Sequence, residues 1–155
     1  MKLSPPSSDQ GSITIEFAFG FMMFATALLA IVEFSRLIFA WSTASEATRV
    51  AARLASICDM SSAQEEVIRD KTLYLVKSSG LFKLDGNSSW LQFNYYPLGC
   101  DSNSCQQVEA RISGLQAKLS IPGPEIITTL PDFRQLVMRE TMKNSIQNEN
   151  NEACY

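Results

Sequence analysis

The hydrophobic pattern begins with a long apolar stretch near the N-terminus. From Phe17 to Val32 the chain carries no charged residue, and Glu16 and Glu33 flank that run. Apolar residues and the absence of proline extend from Ile13 to Trp41, which predicts a helix about 43 Å long. A helix of this length and composition can span the hydrocarbon core of a bilayer.

The helix is expected to continue past this stretch with a changed pattern. Between Trp41 and Cys58, small and apolar residues recur at spacings of three and four, which is typical of a helix with one buried face. Residues 59–62 should end it. A second helix is predicted over residues 63–79, because Ser62-Ala-Gln-Glu65 has the capping-box pattern and Gly80 suits a left-handed C-terminus.

From residue 81 onward the period changes to two, which predicts strands. Alternation is clear over residues 90–96, 107–113 and 115–121, with turns at Asp85-Gly86-Asn87 and Pro122-Gly-Pro124.

Three later segments are less clear. Residues 125–133 are ambiguous and fit a short helical turn or a loop. Residues 133–143 fit either a strand or a helix. Residues 144–152 are polar and are predicted to be loose unless Cys154 holds them. The predicted fold class is α+β: a long N-terminal transmembrane helix continuing into a small head with a second helix and an antiparallel sheet of three or four strands.

Composition narrows the function. The 155 residues have a formal net charge of −3 and no histidine. The lack of a basic patch argues against a nucleic-acid partner, and the lack of histidine removes the Ser-His and Cys-His nucleophile pairs. Paired carboxylates, a phosphate loop and a Cys-x-x-Cys motif are also missing. No catalytic residue, metal site or cofactor is therefore predicted.

The aromatic cluster allows two interpretations. Trp90, Phe93, Tyr95 and Tyr96 fall within one predicted strand. They fit a binding surface, but a strand with one buried face is the commoner arrangement.

Four cysteines, Cys58, Cys100, Cys105 and Cys154, accompany the export-type segment. An even number in this context predicts disulfides in an oxidising compartment. A bond between Cys100 and Cys105 would close a short loop, and this leaves Cys58 and Cys154. Three pairings are possible, so this one is a preference.

Glu16 is costly where it stands, because a carboxylate at the edge of an apolar helix needs a partner. If the chain is cut after Gly11, Ser12 carries a free amine four residues before Glu16. An amine and a carboxylate of adjacent subunits could then neutralise each other.

The segment Gly11-Ser-Ile-Thr-Ile-Glu16-Phe17, directly ahead of an apolar helix, resembles the cleavage motif of type IV prepilins. More narrowly, the chain resembles the TadE-like family of minor pilins (pseudopilins) of the tight-adherence pilus system. Residues 31–36 and 44–55 and the segment Val137-Met-Arg-Glu140 support this resemblance.

The resemblance implies a leader peptide over residues 1–11, a transmembrane helix over 12–41 and a periplasmic head over 42–155. A prepilin peptidase of the inner membrane would cut between Gly11 and Ser12. Glu16 and Phe17 would act in assembly, with the major pilin and other minor pilins as partners. The protein would then be a non-enzymatic subunit that primes or supports a tight-adherence (Flp-type) pilus. It would lie in the inner membrane, or in or at the tip of the filament.

Two alternatives remain open at this point. A secretory signal peptide would place a cut near Ala40 or Ala44, but the apolar core is longer than usual and the helical stripe continues past it. An uncleaved single-pass protein would instead tether a binding module that recognises a ligand of the cell envelope.

Overall fold

A computed structural model describes residues 9–83, 90–119, 126–146 and 149–155 of the chain. Most of the predicted leader and both predicted turns, Asp85-Gly86-Asn87 and Pro122-Gly-Pro124, lie outside the described residues. The described chain divides after Ser35 into two compact units. The predicted α+β class is confirmed.

Helix α1 comprises Asp9–Ile57, a run of 49 residues. The predicted start at Ile13 is wrong, because the prediction followed the first apolar residues. Polar residues are well tolerated in a first helical turn, and nothing between Asp9 and Ile13 stops a helix. The helix ends just before Asp59, as predicted.

The C-terminal half of α1 belongs to the second unit and is buried by small side chains. Its buried stripe consists of alanines that are at most 1% exposed: Ala40, Ala44, Ala47, Ala51, Ala52 and Ala55. Because an alanine side chain is a single methyl group, neighbouring elements can pack close to the helix backbone. Trp41 adds an edge-on contact with the ring of Phe133 at 5.3 Å.

Helix α2 comprises Ser62–Ser78. Its N-cap is Ser61 and not Ser62, because the Ser61 side chain accepts a hydrogen bond from the Gln64 N–H at 3.2 Å. The cap sequence is therefore Ser61-x-x-Gln64, one position before the predicted box. Gly80 has φ +63° and leaves the helix in the predicted left-handed conformation.

Within the described residues, the strands form three antiparallel sheets. One three-stranded sheet has the order β1-β4-β5, a second has the order β2-β3-β6, and β7 pairs with β8. The strands are β1 Phe82–Lys83, β2 Leu91–Tyr96, β3 Gln107–Ile112, β4 Gln116–Leu119, β5 Ile126–Thr129, β6 Phe133–Met138, β7 Ser145–Ile146 and β8 Glu149–Asn150.

The two three-stranded sheets share one long hairpin. Strands β3 and β4 form one arm, and β5 and β6 form the other. Ile112 pairs with Phe133 in the second sheet, and Gln116 pairs with Thr129 in the first, so the register is unchanged across the break. At the break, the Leu130 N–H donates to the Leu115 carbonyl at 2.8 Å. Gly114, with φ +72°, adopts the left-handed conformation that this bend requires.

The alternation predicted for β3 is confirmed, since Val108, Ala110 and Ile112 are fully buried. The helical turn or loop expected over residues 125–133 is wrong for Ile126–Thr129, which form β5, whereas residues 130–132 do form a loop and residue 125 lies outside the described residues. β-branched residues favour a strand, and β4 supplies the pairing partner. Of the two structures that residues 133–143 fit, the structure shows the strand, β6.

The C-terminal segment is held against the end of α1. The N–H groups of Glu140 and Met142 donate to the Ser56 carbonyl, at 3.1 and 3.3 Å, and that of Lys143 donates to the Ile57 carbonyl at 2.9 Å. These bonds satisfy carbonyls that a helix end leaves without intrahelical partners. Met142 is fully buried and has φ +47°, so packing holds it in a conformation that is uncommon for its residue type.

Candidate functional site

Residues 12–35, in the first unit, form an apolar helix whose side chains are mostly exposed. Among the described residues, α1 is the helix that is long and apolar enough to cross a membrane, and none of its most apolar 18-residue window is buried. Phe17 is 73% exposed and Met23 72%, on different sides of the helix. A soluble monomer rarely exposes apolar surface on this scale, so this part of α1 is built to be covered by lipid or by other helices.

One side of this helix carries a shallow groove between aromatic and small residues. The Phe17 and Phe21 rings stack with their centroids 6.3 Å apart. The groove is lined by Thr14, Phe17, Ala18, Phe21, Met22, Ala25, Thr26 and Leu29. Spacings of three and four place these side chains along one stripe, and the two alanines allow another helix to approach closely.

Polar side chains further along this unit are satisfied within the helix. The Thr26 hydroxyl donates to the Met22 carbonyl at 2.7 Å, and the Ser35 hydroxyl donates to the Ile31 carbonyl at 2.8 Å. A hydroxyl bonded to the preceding turn needs no water, which suits a lipid environment.

The four residues predicted for processing and assembly lie together at the start of α1. Gly11 and Ser12 are helical, and Glu16 follows Ser12 by four residues, so Ser12 and Glu16 share one helix face. Glu16 and Phe17 are both exposed. Within the described part of the chain, the Glu16 carboxylate makes no hydrogen bond or ion pair. The carboxylate is therefore available to a group from another molecule.

The second unit contains the last six residues of the predicted membrane span, 36–41. Arg36 is the first residue of the second unit, and Leu37 and Ala40 pack beside Leu81 and Ala117. Leu37 and Ala40 thus pack within the second unit, whereas Ile38 and Phe39 are 55% and 58% exposed.

The four cysteines form two disulfides. Cys58 bonds Cys154 with a Cα–Cα distance of 5.6 Å, and Cys100 bonds Cys105 with a Cα–Cα distance of 5.0 Å. This is the pairing that the short Cys100–Cys105 spacing favours. The first bond fastens the C-terminal segment to the end of α1, where the Gln64 side-chain amide also donates to the Cys154 carbonyl at 2.7 Å.

Three of the four aromatic side chains pack in or against the core, and Tyr96 lines a surface pocket. Trp90 is 9% exposed, and Phe93 and Tyr95 pack against the buried cluster. Burial, followed by the neighbouring Glu65 carboxylate, raises the pKa of Tyr95 well above its usual range. A hydrogen bond to the Glu109 carboxylate, 3.0 Å from the hydroxyl, raises the pKa of Tyr96.

The disulfide-closed loop uses its carboxylate internally. The Asp101 side chain accepts hydrogen bonds from Ser104 and from the Asn103 N–H, and the Ser104 bond is the first cause of its lowered pKa. Across the residues that the structure describes, no cluster of three metal-ligating side chains occurs.

Sequence reasoning missed one surface. Strand β6 carries apolar side chains on both faces: Phe133 and Val137 pack toward the core, while Leu136 and Met138 are 52% and 74% exposed. Residues 133–138 have no fully polar face. This feature could have indicated an exposed apolar surface, but it also removed the alternation by which a strand is predicted.

Residues 11–53 match the family model described as TadE-like protein. The matched range contains the Gly11–Phe17 motif and nearly all of α1 beyond it, and the segment Val137-Met-Arg-Glu140 lies outside it. The comparisons with curated proteins and with solved structures found no match. Residues 11–53, slightly more than a quarter of the chain, are therefore similar to TadE-like proteins.

Proposed function

We propose that this protein is a non-enzymatic subunit that primes or supports assembly of a tight-adherence pilus. The observation that carries the proposal is the arrangement at the start of α1. Gly11 lies in the first turn of α1, and the Glu16 carboxylate, which has no bonding partner among the described residues, stands one turn after Ser12. The TadE-like match over residues 11–53 supports the same assignment.

Processing by a prepilin peptidase would occur between Gly11 and Ser12. Both residues lie in the first turn of α1, so the helix must open there before a peptidase can bind an extended backbone. Gly11 lowers the free-energy cost of opening the helix, because a glycine inside a helix destabilises the helix by about 0.5–1 kcal/mol relative to alanine.

The new N-terminus would supply the partner that Glu16 lacks. A carboxylate costs about 2.5–3.5 kcal/mol at the centre of a membrane helix and less near its ends. A protonated amine on Ser12 of one subunit, placed against Glu16 of a neighbour, offsets this cost. The groove beside Phe17 and Phe21 gives the neighbouring helix a surface to pack on.

The membrane segment in this proposal runs from Ser12 to Ser35. At 1.5 Å per residue this stretch is about 36 Å long, which is enough to span a bilayer core of about 30 Å. The globular unit that starts at Arg36 would lie in the periplasm. Its two disulfides fit that compartment, because such bonds persist where the environment is oxidising.

The test is a single substitution at Glu16. In the native host, Glu16→Gln should abolish surface pili while the protein remains in the membrane with a folded head, because the amide cannot neutralise an amine. Electron microscopy and immunoblotting of sheared filaments measure the pili, and a membrane immunoblot measures the protein.

Glu46→Gln is the matched control. Glu46 lies on the exposed face of α1 in the second unit, where it forms an exposed ion pair with Arg49 at 3.8 Å. Such pairs contribute little, so the control should assemble pili normally. Normal piliation in Glu16→Gln would contradict the role assigned to Glu16.

A further inference from the structure

Strand β6 is the outer strand of its sheet, because the order is β2-β3-β6. The Arg139 N–H donates to the Gln106 carbonyl at 2.9 Å, just beyond the last strand pair. Main-chain groups alternate in direction along an antiparallel strand. The N–H and C=O groups of Phe133, Gln135 and Val137 therefore face β3, and those of Arg134, Leu136 and Met138 face outward.

These outward groups, with their side chains, form the surface that we call the β6 edge. Within the described residues, its main-chain groups have no partner other than the Gln135 side-chain amide, which lies 3.5 Å from the Leu136 carbonyl. The free stretch is bounded at both ends. The Asp132 carboxylate accepts a bond from Arg111, and the Glu140 N–H donates to the Ser56 carbonyl at 3.1 Å.

Apolar side chains make this edge unusual. Natural sheets protect a free edge with charges, proline or bulges, because unpaired main-chain groups recruit other strands. Here Leu136 and Met138 are exposed on one face, and on the other face Phe133 and Val137 are only partly buried. A further strand beside β6 would cover apolar surface on both faces.

The charge at this edge selects the partner. Arg134 stands directly opposite Arg111 on β3, and Arg111 is held by Asp132. The nearby Glu109 carboxylate accepts the Tyr96 hydroxyl, and no ion pair joins it to Arg134 within the described residues. Two guanidinium groups thus face each other, and within the described residues the ion pair with Asp132 involves only Arg111. An acidic side chain opposite Arg134 is therefore favoured.

We propose that the β6 edge binds an extended segment of another protein by strand addition. The segment presents apolar side chains beside Leu136 and Met138 and an acidic side chain beside Arg134. Main-chain hydrogen bonds supply the affinity, and the alternate side chains supply the selectivity. This inference uses neither Gly11 nor Glu16, so it stands apart from the proposed pilus role.

A second copy of this chain is a poorer occupant. Two copies of one edge pair antiparallel about a two-fold axis. Trp41 contacts Phe133, and Ser56 contacts Glu140, so this part of α1 runs in the same direction as β6. Pairing two β6 edges would therefore place residues 36–57 of the two copies antiparallel. Residues 133–138 also contain no acidic side chain that a second copy could offer to Arg134.

The test uses the full chain in detergent and a synthetic nine-residue peptide of alternating threonine and valine with a glutamate near each end. A second peptide carries lysine in place of each glutamate. Fluorescence anisotropy should show saturable binding of the acidic peptide and at least tenfold weaker binding of the basic one. Hydrogen exchange should slow at the Leu136 and Met138 amides when the acidic peptide binds.

Leu136→Pro is the decisive variant, because it removes an outward N–H and leaves the bonds to β3 intact. It should weaken binding at least tenfold, and Arg134→Glu should reverse the preference between the two peptides. Tyr74→Lys, at a side chain that is 75% exposed on α2, should change nothing. Circular dichroism of each variant confirms that it is folded.

Three results would overturn the inference. Equal binding by folded Leu136→Pro would show that the edge is not used, and failure of both peptides to bind saturably would remove the site. Concentration-dependent dimerisation that is lost in Leu136→Pro would make a second copy the occupant.

Discussion

Two polar side chains, one in each unit, differ in whether they have a hydrogen-bond partner. In the second unit, the buried Gln64 side-chain amide donates to the Cys154 carbonyl at 2.7 Å. In the first unit, the Glu16 carboxylate makes no bond within the described residues. A charge on an apolar helix is unfavourable when no opposite charge lies near it, and for this reason the proposed assembly role centres on Glu16.

Sequence reasoning succeeds at this scale where one residue type suits one conformation. Gly80 was predicted to be left-handed and is. It fails where two neighbours are equally suitable, as with the adjacent serines before α2, because either hydroxyl can cap a helix and packing decides between them.

Tyr95 leads to a prediction about alkaline pH. Its folded pKa is raised above the usual 10.0, first by burial and then by Glu65. The folded state therefore favours the protonated Tyr95 hydroxyl. Its contribution to the free energy of unfolding is fully present below about pH 10 and is lost as the pH rises above the unfolded pKa. Because the two states differ by at most one bound proton at Tyr95, the free energy of unfolding falls by at most about 1.4 kcal/mol per pH unit.

We expect the decline in stability between pH 10 and pH 12 to be shallower in Tyr95→Phe than in the wild type, as measured by urea unfolding at each pH. Tyr74→Phe, at an exposed position, is the matched control and should follow the wild type. A parallel decline in wild type and Tyr95→Phe would contradict the assignment of this pH dependence to Tyr95.

Secondary-structure elements were predictable where one period dominates. The apolar run and the alanine stripe predict α1, and strict alternation predicts β3. The pattern did not identify β5 and β6 as strands. Strand β5 is short, and β6 has apolar residues on both faces, so neither shows a clear alternation. The long hairpin is divided between two sheets near Gly114, which has φ +72°, and the linear hydrophobic pattern did not predict this division.

The two disulfides differ in the length of chain that they close. Cys58 and Cys154 are 96 residues apart, and Cys100 and Cys105 are 5 apart. In the chain-entropy account, a bond stabilises by restricting the unfolded chain, and the effect grows with loop length. The long loop should contribute about 4–5 kcal/mol and the short one about 2 kcal/mol.

Replacing Cys58 and Cys154 together by alanine should therefore lower the free energy of unfolding about twice as much as replacing Cys100 and Cys105. Urea unfolding followed by circular dichroism measures both differences. Equal losses, or a larger loss from the short loop, would contradict the view that the first bond fastens the C-terminal segment to the fold.

The whole molecule combines an exposed apolar helix with a packed head, and the division falls after Ser35. Sequence pattern placed the change near Trp41, because apolar residues continue without interruption to that point. An apolar helix face looks the same in sequence whether lipid or a protein core covers it. The contacts of Leu37 and Ala40 with the head are therefore tertiary information.

This division predicts how shortened chains behave. A chain beginning at Arg36 keeps the packing of Leu37, Ala40 and Trp41, so it should fold and remain soluble. A chain beginning at Ser42 loses those side chains, which should cost about 3 kcal/mol or more and lower the melting temperature. Thermal unfolding followed by circular dichroism compares the two. Identical melting temperatures would place the start of the head beyond Trp41.

The central claim is that the N-terminal motif is a processing and assembly site, and the mature N-terminus tests it most directly. Mass spectrometry of the protein purified from the membranes of its native host should find Ser12 as the first residue. An intact Met1 would indicate an uncleaved membrane anchor. A start near Ser45 would indicate a signal peptide, and either result would contradict the account.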